Sequence, residues 1–344
     1  MNKLMLGAAA VALTLAVSPA FAADDSGVKL GLGGHFKGYV NYSDEDSAKA
    51  VDFLRDAEVH FGGETTLDNG LTVGAHIEAT ADGADGFGVD ESYVYFAGSW
   101  GRVNAGREDG AAYLLQVAAP SADDNIDGIR QFINPVSFLG DVSVDYANDY
   151  AKSADKITYL SPVFSGFQAG VSYATEDDSA TSGGNRSSAS GVASDVMEGA
   201  VRYEGMVGSV GLIAGAGYTT AGDNDFDQWN TGVDLDIGAF GLGAVYTTAE
   251  EGDAEVDTWA IGTDYTTGPF KLGASYLNAD GDASVSGLNV SGDLDRYAAG
   301  VVYSYGPGMT FRGSVGYTDV DASAGAFTGS EDATTVTIGT QVNF

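Results

Sequence analysis

The chain lacks cysteine, is poor in basic residues and, past its N-terminus, has no long apolar run. Its 344 residues hold 0 Cys, 3 His and 15 Lys+Arg against 49 Asp+Glu, for a formal net charge of −34. Without cysteine there is no disulfide framework, although the N-terminus described below directs the chain to a compartment where disulfides form. So acidic a chain with so few bases argues against nucleic acid or an anionic lipid surface as a direct partner, because both are bound by neutralising their negative charge. After Ala22 no stretch approaches 18 apolar residues, which excludes a membrane-crossing helix in the remainder of the chain. His35, His60 and His76 show no HxxxH or HExxH spacing, so a Ser-His or zinc enzyme is the weakest functional reading.

What is present is apolar, aromatic and glycine-rich: 44% hydrophobic residues, with 50 Gly, 18 Tyr and 16 Phe. At the N-terminus, Lys3 is followed by an apolar and small-residue run from Leu4 to Val17, a break at Ser18-Pro19, and the small-residue site Ala20-Phe21-Ala22. This layout predicts a cleaved secretory leader over residues 1–22, with one domain over residues 23–344.

Beyond Val28 the dominant signal is alternation. Leu30, Leu32, Gly34, Phe36, Gly38, Val40 and Tyr42 occupy one face; Lys29, Gly31, Gly33, His35, Lys37, Tyr39 and Asn41 occupy the other. Successive side chains of a strand point to opposite faces, so one face is oily and the other wet. The pattern recurs and predicts strands over 28–42, 49–65, 71–80, 91–99, 101–108, 155–162, 167–174, 196–207, 210–219, 228–237, 240–247, 257–266, 270–277, 295–305, 309–317 and 333–344. Connections alternate between tight turns such as Asp68-Asn69-Gly70 and long acidic ones such as Glu176–Asp195 and Asn278–Asp293. Short turns on one side and long loops on the other predict an all-β fold: a closed, antiparallel transmembrane β-barrel of 16 strands.

A soluble sandwich also alternates, and two features argue against it. Phe167/Tyr173, Phe240/Tyr246, Trp259/Tyr265, Phe270/Tyr276, Tyr297/Tyr303 and Phe311/Tyr317 lie six residues apart on the oily face. That spacing puts rings near both ends of a strand, as interfacial girdles require. Most in-register charges, including Lys29, Lys37, Arg102, Lys156, Arg202, Lys271, Arg296 and Arg312, share the glycine-rich face. Arg55 and Arg107 do not: they share parity with Val59 and Ala105, which calls for bulges or strand ends above the membrane. A barrel this wide cannot be filled by its own side chains and holds water.

From Ile157-Thr158-Tyr159-Leu160-Ser161-Pro162 through Val163-Phe164-Ser165-Gly166-Phe167 the sequence resembles the general-diffusion porins of Gram-negative outer membranes. Ala57-Glu58-Val59 to Leu67-Asp68-Asn69-Gly70-Leu71, Gly101-Arg102 to Gly106-Arg107 and the terminal Phe344 agree. The resemblance implies passive diffusion of small hydrophilic solutes and ions through a homotrimer, with a third long loop folded into each pore. It also implies that Phe344 is part of the signal read by the barrel-assembly machinery.

The longest connection, Glu108 to Ala154, carries an apolar segment, Ala111-Ala112-Tyr113-Leu114-Leu115, that would be out of place in water. Folded inward, it has a wall to pack on. The expected constriction pairs an acidic side, Glu108, Asp109, Asp123, Asp124 and Asp127, with a basic side, Lys29, Lys37, Arg55, Arg102 and Arg107. Because acids outnumber bases so heavily, the expected selectivity is for cations. Outer acidic clusters (Asp44-Glu45-Asp46, Glu176-Asp177-Asp178, Asp223/Asp225/Asp227, Glu250-Glu251, Glu331-Asp332) offer the oxygen ligands of Ca²⁺ or Mg²⁺ and could bridge to lipopolysaccharide. Two further readings remain open: a substrate-specific channel, for which Tyr39 alone is a poor aromatic track, and a secreted acidic calcium-binding adhesin, for which the nonapeptide repeats are missing.

Overall fold

A computed structural model describes residues 22–23, 27–45, 49–81, 87–121, 136, 145–176, 194–222, 225–285 and 288–344. Apart from a two-residue pairing of Ala22–Ala23 with Lys29 and Leu30, its strands form a single cycle. They are β1 Lys29–Ser43, β2 Val51–Thr66, β3 Thr72–Thr80, β4 Gly88–Gly98, β5 Gly101–Arg107, β6 Asp155–Leu160, β7 Phe167–Glu176 and β8 Ser194–Val207. The second half is β9 Val210–Ala221, β10 Phe226–Ile237, β11 Phe240–Glu251, β12 Ala254–Thr267, β13 Phe270–Val285, β14 Leu288–Gly306, β15 Met309–Ala324 and β16 Phe327–Asn343. Each pairs antiparallel with the next, and β16 closes on β1 from Thr335↔Ser43 to Asn343↔His35. The barrel therefore has no free edge.

Side chains are arranged inside out. On β1, Lys37, Asn41 and Ser43 are each 4% exposed, whereas Leu30, Leu32 and Val40 are 56%, 53% and 45% exposed. Val171 and Leu242, on the oily parity of their own strands, are likewise on the outside, and Val73 is half-buried. A soluble core would reverse these values. The outward rings make two belts. Near the short turns, Phe167 meets Tyr203, Phe240 meets Tyr265 and Phe270 meets Tyr303, with centroids 4.7–4.9 Å apart. Toward the long loops, Tyr218 meets Trp229 at 4.3 Å, and Trp259, Tyr276 and Tyr297 follow in a row at 4.9 and 4.8 Å. The phenols of this upper belt donate to carboxylates on its polar side, Tyr173 to Asp195 at 2.5 Å, Tyr246 to Asp257 at 2.6 Å and Tyr276 to Asp295 at 2.5 Å.

The turns follow local chemistry. Gly70 takes φ +83°, a conformation L side chains resist, while its N–H bonds the Leu67 carbonyl and the Asn69 side chain accepts from the Leu71 N–H. All sixteen predicted strands are present, but the upper ends of the C-terminal ones run further than alternation indicated. Asn278–Asp293, read as a loop, is instead the protruding end of a hairpin whose register continues to Val285↔Leu288. β14 has 19 residues, a contour of about 60 Å at ~3.3 Å each. Even at a tilt of about 45° this exceeds the ~25 Å apolar band, so its upper part stands in water and needs no oily face. Alternation from Ile77 puts Ala79 on the outward face, and its in-register pairing with Val59 agrees, yet its small side chain is fully buried, beside the register shift to the next strand between Glu78 and Ala79.

Candidate functional site

β5 and β6 are short strands of 7 and 6 residues, and the long connection between them turns into the barrel. Its first part includes one helical turn, α1 (Ala111–Leu114), followed by an extended run to Ser121. Ala111, Ala112, Leu114 and Leu115 are at most 7% exposed, and Leu114 and Leu115 pack on Leu160 of β6 and Ala200 of β8. The expected apolar packing surface is the inner wall. Further along, Val117 lies over β9 and β10, and Pro120 over β11 and β12. The Pro120 carbonyl comes so close that a Cβ on Gly262 would sit 1.9 Å from it; at Gly243 the clash would be 2.8 Å from the Pro120 ring. Glycine on the wet face therefore makes room for the loop. Tyr146, on the returning part, is buried with Val245, Ala260, Leu277 and Leu294.

Polar wall residues clamp the same loop. Arg202 donates to the Gln116 carbonyl at 2.8 Å, and Lys156 to the Glu108 carbonyl at 2.6 Å. Ser172 donates to Glu198 at 2.7 Å while accepting from the Ala111 N–H at 3.0 Å. Gln116 donates to the Tyr146 carbonyl at 2.8 Å and accepts from the Asn148 N–H at 2.7 Å, tying the outgoing and returning strands of the loop together.

Among the described residues, the loop thus packs on the wall from β6 round to β14. Further round the inner wall, Arg296 is 1% exposed and Arg312 half-buried, with hydroxyl partners Thr318 at 3.2 Å and Thr310 at 3.3 Å. Lys37 pairs with Asp56 at 3.0 Å. Next to that pair stand all three histidines of the chain, interleaved with Glu58 and Glu78. Tyr93 and Tyr95 also point inward, which the run Ser92-Tyr93-Val94-Tyr95-Phe96 conceals because both parities are oily.

Of the expected acidic residues, Glu108 is 2% exposed at the loop root, and both its carboxylate oxygens accept from the Asn104 amide, at 2.7 and 2.6 Å. Burial pushes its carboxyl up to about 7, against the lowering influence of Asn104 and Arg102. Asp109 is half-buried beside it. Asp123, Asp124 and Asp127 lie outside the described residues. Of the expected basic residues, Lys37 is on the inner wall, 4% exposed and paired with Asp56. Arg102 lies 4.0 Å over the Tyr95 ring and donates to Asn104 at 2.6 Å, so it supports the Glu108 pocket. Lys29 is at the rim by the first short turn, 60% exposed and 4.0 Å from Glu64. Arg107 donates to the Ser153 carbonyl at 3.1 Å, at the foot of the returning loop. Arg55 is on the outward face next to Phe53, since the β1–β2 register runs without a bulge through Gly38↔Arg55. The last two resolve the parity conflict in the sequence: one is a strand end, the other points away from the channel. Phe344 is 53% exposed and its backbone exchanges two hydrogen bonds with Gly34, at 3.0 and 3.1 Å, which pins the C-terminus to β1.

A closed transmembrane barrel with an oily exterior, a polar interior and a loop packed against its inner wall defines a membrane channel. The chain belongs to the Gram-negative porin family, whose sequence profile matches residues 8–323. Among solved structures, it resembles an anion-selective porin from Comamonas acidovorans at 19% identity and TM-score 0.65, covering 92% of this chain and 100% of that one. OmpT of Vibrio cholerae in its trimer form is similar at 14% identity and TM-score 0.65, covering 92% and 99%. A mutant of Rh. blastica porin matches at 18% identity and TM-score 0.57, covering 92% and 100%. A comparison with curated protein sequences found no match. At these identities the likeness to solved structures is one of fold.

Proposed function

We propose that this porin is a passive, cation-preferring diffusion channel for small hydrophilic solutes, with no catalytic turnover. The observation that carries the preference is the balance of fixed charge on the interior face. Hydrogen bonds to neutral carbonyls hold Lys156 and Arg202 in place without cancelling their charge. Among the described inward residues, Asp56, Glu58, Glu64, Glu78, Asp109, Glu198, Glu204, Asp234 and Asp264 outnumber Lys37, Arg102, Lys156, Arg202, Lys271, Arg296 and Arg312, and fixed charges along a pore set ion selectivity. The test is the reversal potential in a planar bilayer under a KCl gradient. A potential of the sign for K⁺ permeation, shrinking as salt is raised and the screening length falls below ~10 Å, is expected; a chloride potential overturns the reading. Concentration-dependent block by one solute class would point instead to a substrate-specific channel.

The functional unit we propose is a homotrimer in the outer membrane, assembled after removal of residues 1–22 and recognised through Phe344 by the barrel-assembly machinery. The outward Arg55 supports a covered face at β2, because a charge facing lipid at mid-depth costs about 2–4 kcal/mol. Since the chain has no cysteine, Arg55→Cys gives a single thiol for crosslinking. Dimeric crosslinked products from native membranes are expected, and monomers alone would place this face in lipid. Ca²⁺ or Mg²⁺ bridging the acidic outer rim to lipopolysaccharide phosphates is retained as part of the proposal, with chelator-induced loosening of lipopolysaccharide as its check.

A further inference from the structure

His35, His60 and His76 come from three different strands, yet they form one row on the inner wall of the barrel. Ring centroids are 6.2 Å apart from His35 to His60 and 5.6 Å from His60 to His76. Carboxylates fill the gaps. His35 Nδ1 is 3.5 Å and His60 Nε2 is 3.3 Å from the same Glu58 oxygen, Oε2. Behind them, Asp56 Oδ2 lies 3.2 Å from His35 Nε2, and Glu78 Oε2 lies 3.5 Å from His60 Nδ1. His76 Nε2 is 3.4 Å from Glu78, and Lys37 Nζ is 3.0 Å from Asp56.

We propose that His35 Nδ1, His60 Nε2 and Glu58 Oε2 bind a divalent transition-metal ion of the Zn²⁺, Cu²⁺ or Ni²⁺ class on the channel wall. This goes beyond diffusion and does not depend on the cation preference. Three observations carry it. The three ligand atoms lie within 4.8 Å of one another. Separations of 3.3–3.5 Å are long for hydrogen bonds to a charged partner, but they match the edge of a tetrahedron of ligands at about 2.0–2.1 Å from zinc, which is about 3.3–3.4 Å. Both histidines also have a carboxylate on the nitrogen facing away from the site, Asp56 for His35 and Glu78 for His60. That is the outer arrangement which fixes tautomer and ring orientation in metal sites. Two imidazoles and one carboxylate suit borderline ions better than Ca²⁺ or Mg²⁺, which prefer all-oxygen sets. Three protein ligands leave the fourth position to water or a passing solute. His60 is the most exposed of the five side chains, at 28%, so the site opens to the lumen. His76 belongs to the support of Glu78, with the Tyr93 ring 5.3 Å from its own.

The experiment is calorimetric titration of the folded, detergent-solubilised full chain with Zn²⁺ alone, repeated for His35→Gln, His60→Gln, His76→Gln and Asp56→Asn. Each variant's folding is checked by its heat-modifiable gel mobility. Expected is one ion per chain, with affinity lowered about 10–100-fold or more by His35→Gln and His60→Gln, and less by Asp56→Asn. His76→Gln retains binding within a few-fold. Loss of binding on His76→Gln with none on His35→Gln would put the ion in the neighbouring His60, His76 and Glu78 group and overturn the assignment. Equal binding of Ca²⁺, or unchanged affinity in folded His60→Gln, would also overturn it. Because binding is read without current, a failed bilayer experiment leaves this test intact.

Discussion

Glu108 shows how one residue links loop docking to permeation. Its carboxyl is held near 7 by burial, above its ordinary value of 4.5, so the folded state holds the proton more strongly than the unfolded chain. The stabilisation this gives is complete below about 4.5 and is lost as pH rises through about 7. Above that, Glu108 is a fixed negative charge at the loop root. Cation preference is therefore expected to increase between pH 5 and 8. Glu108→Gln keeps the acceptor for Asn104 and removes the charge. Reversal potentials of this variant are expected to vary less over the same range, and an unaltered pH profile would assign the titration to another group. Arg202 acts on the same loop through a charge-assisted bond to the Gln116 carbonyl. Such a bond contributes about 1.5–3 kcal/mol, so Arg202→Met is expected to raise the undocked loop population about tenfold or more. The readout is open-channel current noise, which would stay at the parent level if the loop held without this clamp.

At the scale of elements, the inner loop and the glycines beneath it form one unit. Pro120 reaches the wall because Gly243 and Gly262 present no Cβ. Gly262→Val would push the loop away from the wall and into the channel. A lower single-channel conductance with normal folding is expected, and parent conductance would mean that the loop is not held against β12. The interior histidines show why some of the site was legible and some was not. Alternation alone put His35, His60 and His76 on the wet face, and the Asp68-Asn69-Gly70 turn fixes the β2–β3 register that sets His60 opposite Glu78. The β1–β2 register, which brings His35 beside Glu58, is set across a connection with no turn signature. Linear spacing, which looks for metal ligands within one helix or loop, passes over residues joined only by strand pairing.

Over the whole molecule, the bilayer is the solvent for one face and water for the other, and this makes the exterior testable. Val171, between the Phe167 and Tyr173 rings, is 57% exposed. Val171→Arg is expected to lower unfolding free energy by about 2–4 kcal/mol if at mid-depth, measured by denaturant unfolding from lipid vesicles. An effect below about 1 kcal/mol would place this position at the interface.

Strand number, the oily and wet faces, the aromatic belts and the inward loop were all legible in the order of residues. Each is written with a period of two or with local turn chemistry, which needs no partner to be read. Where Arg55 points, how far the C-terminal hairpins stand above the membrane, and which bases clamp the loop were decided only in the folded barrel. Register and closure of β16 on β1 fix those features, and each depends on residues far apart in the chain meeting across a pair of strands.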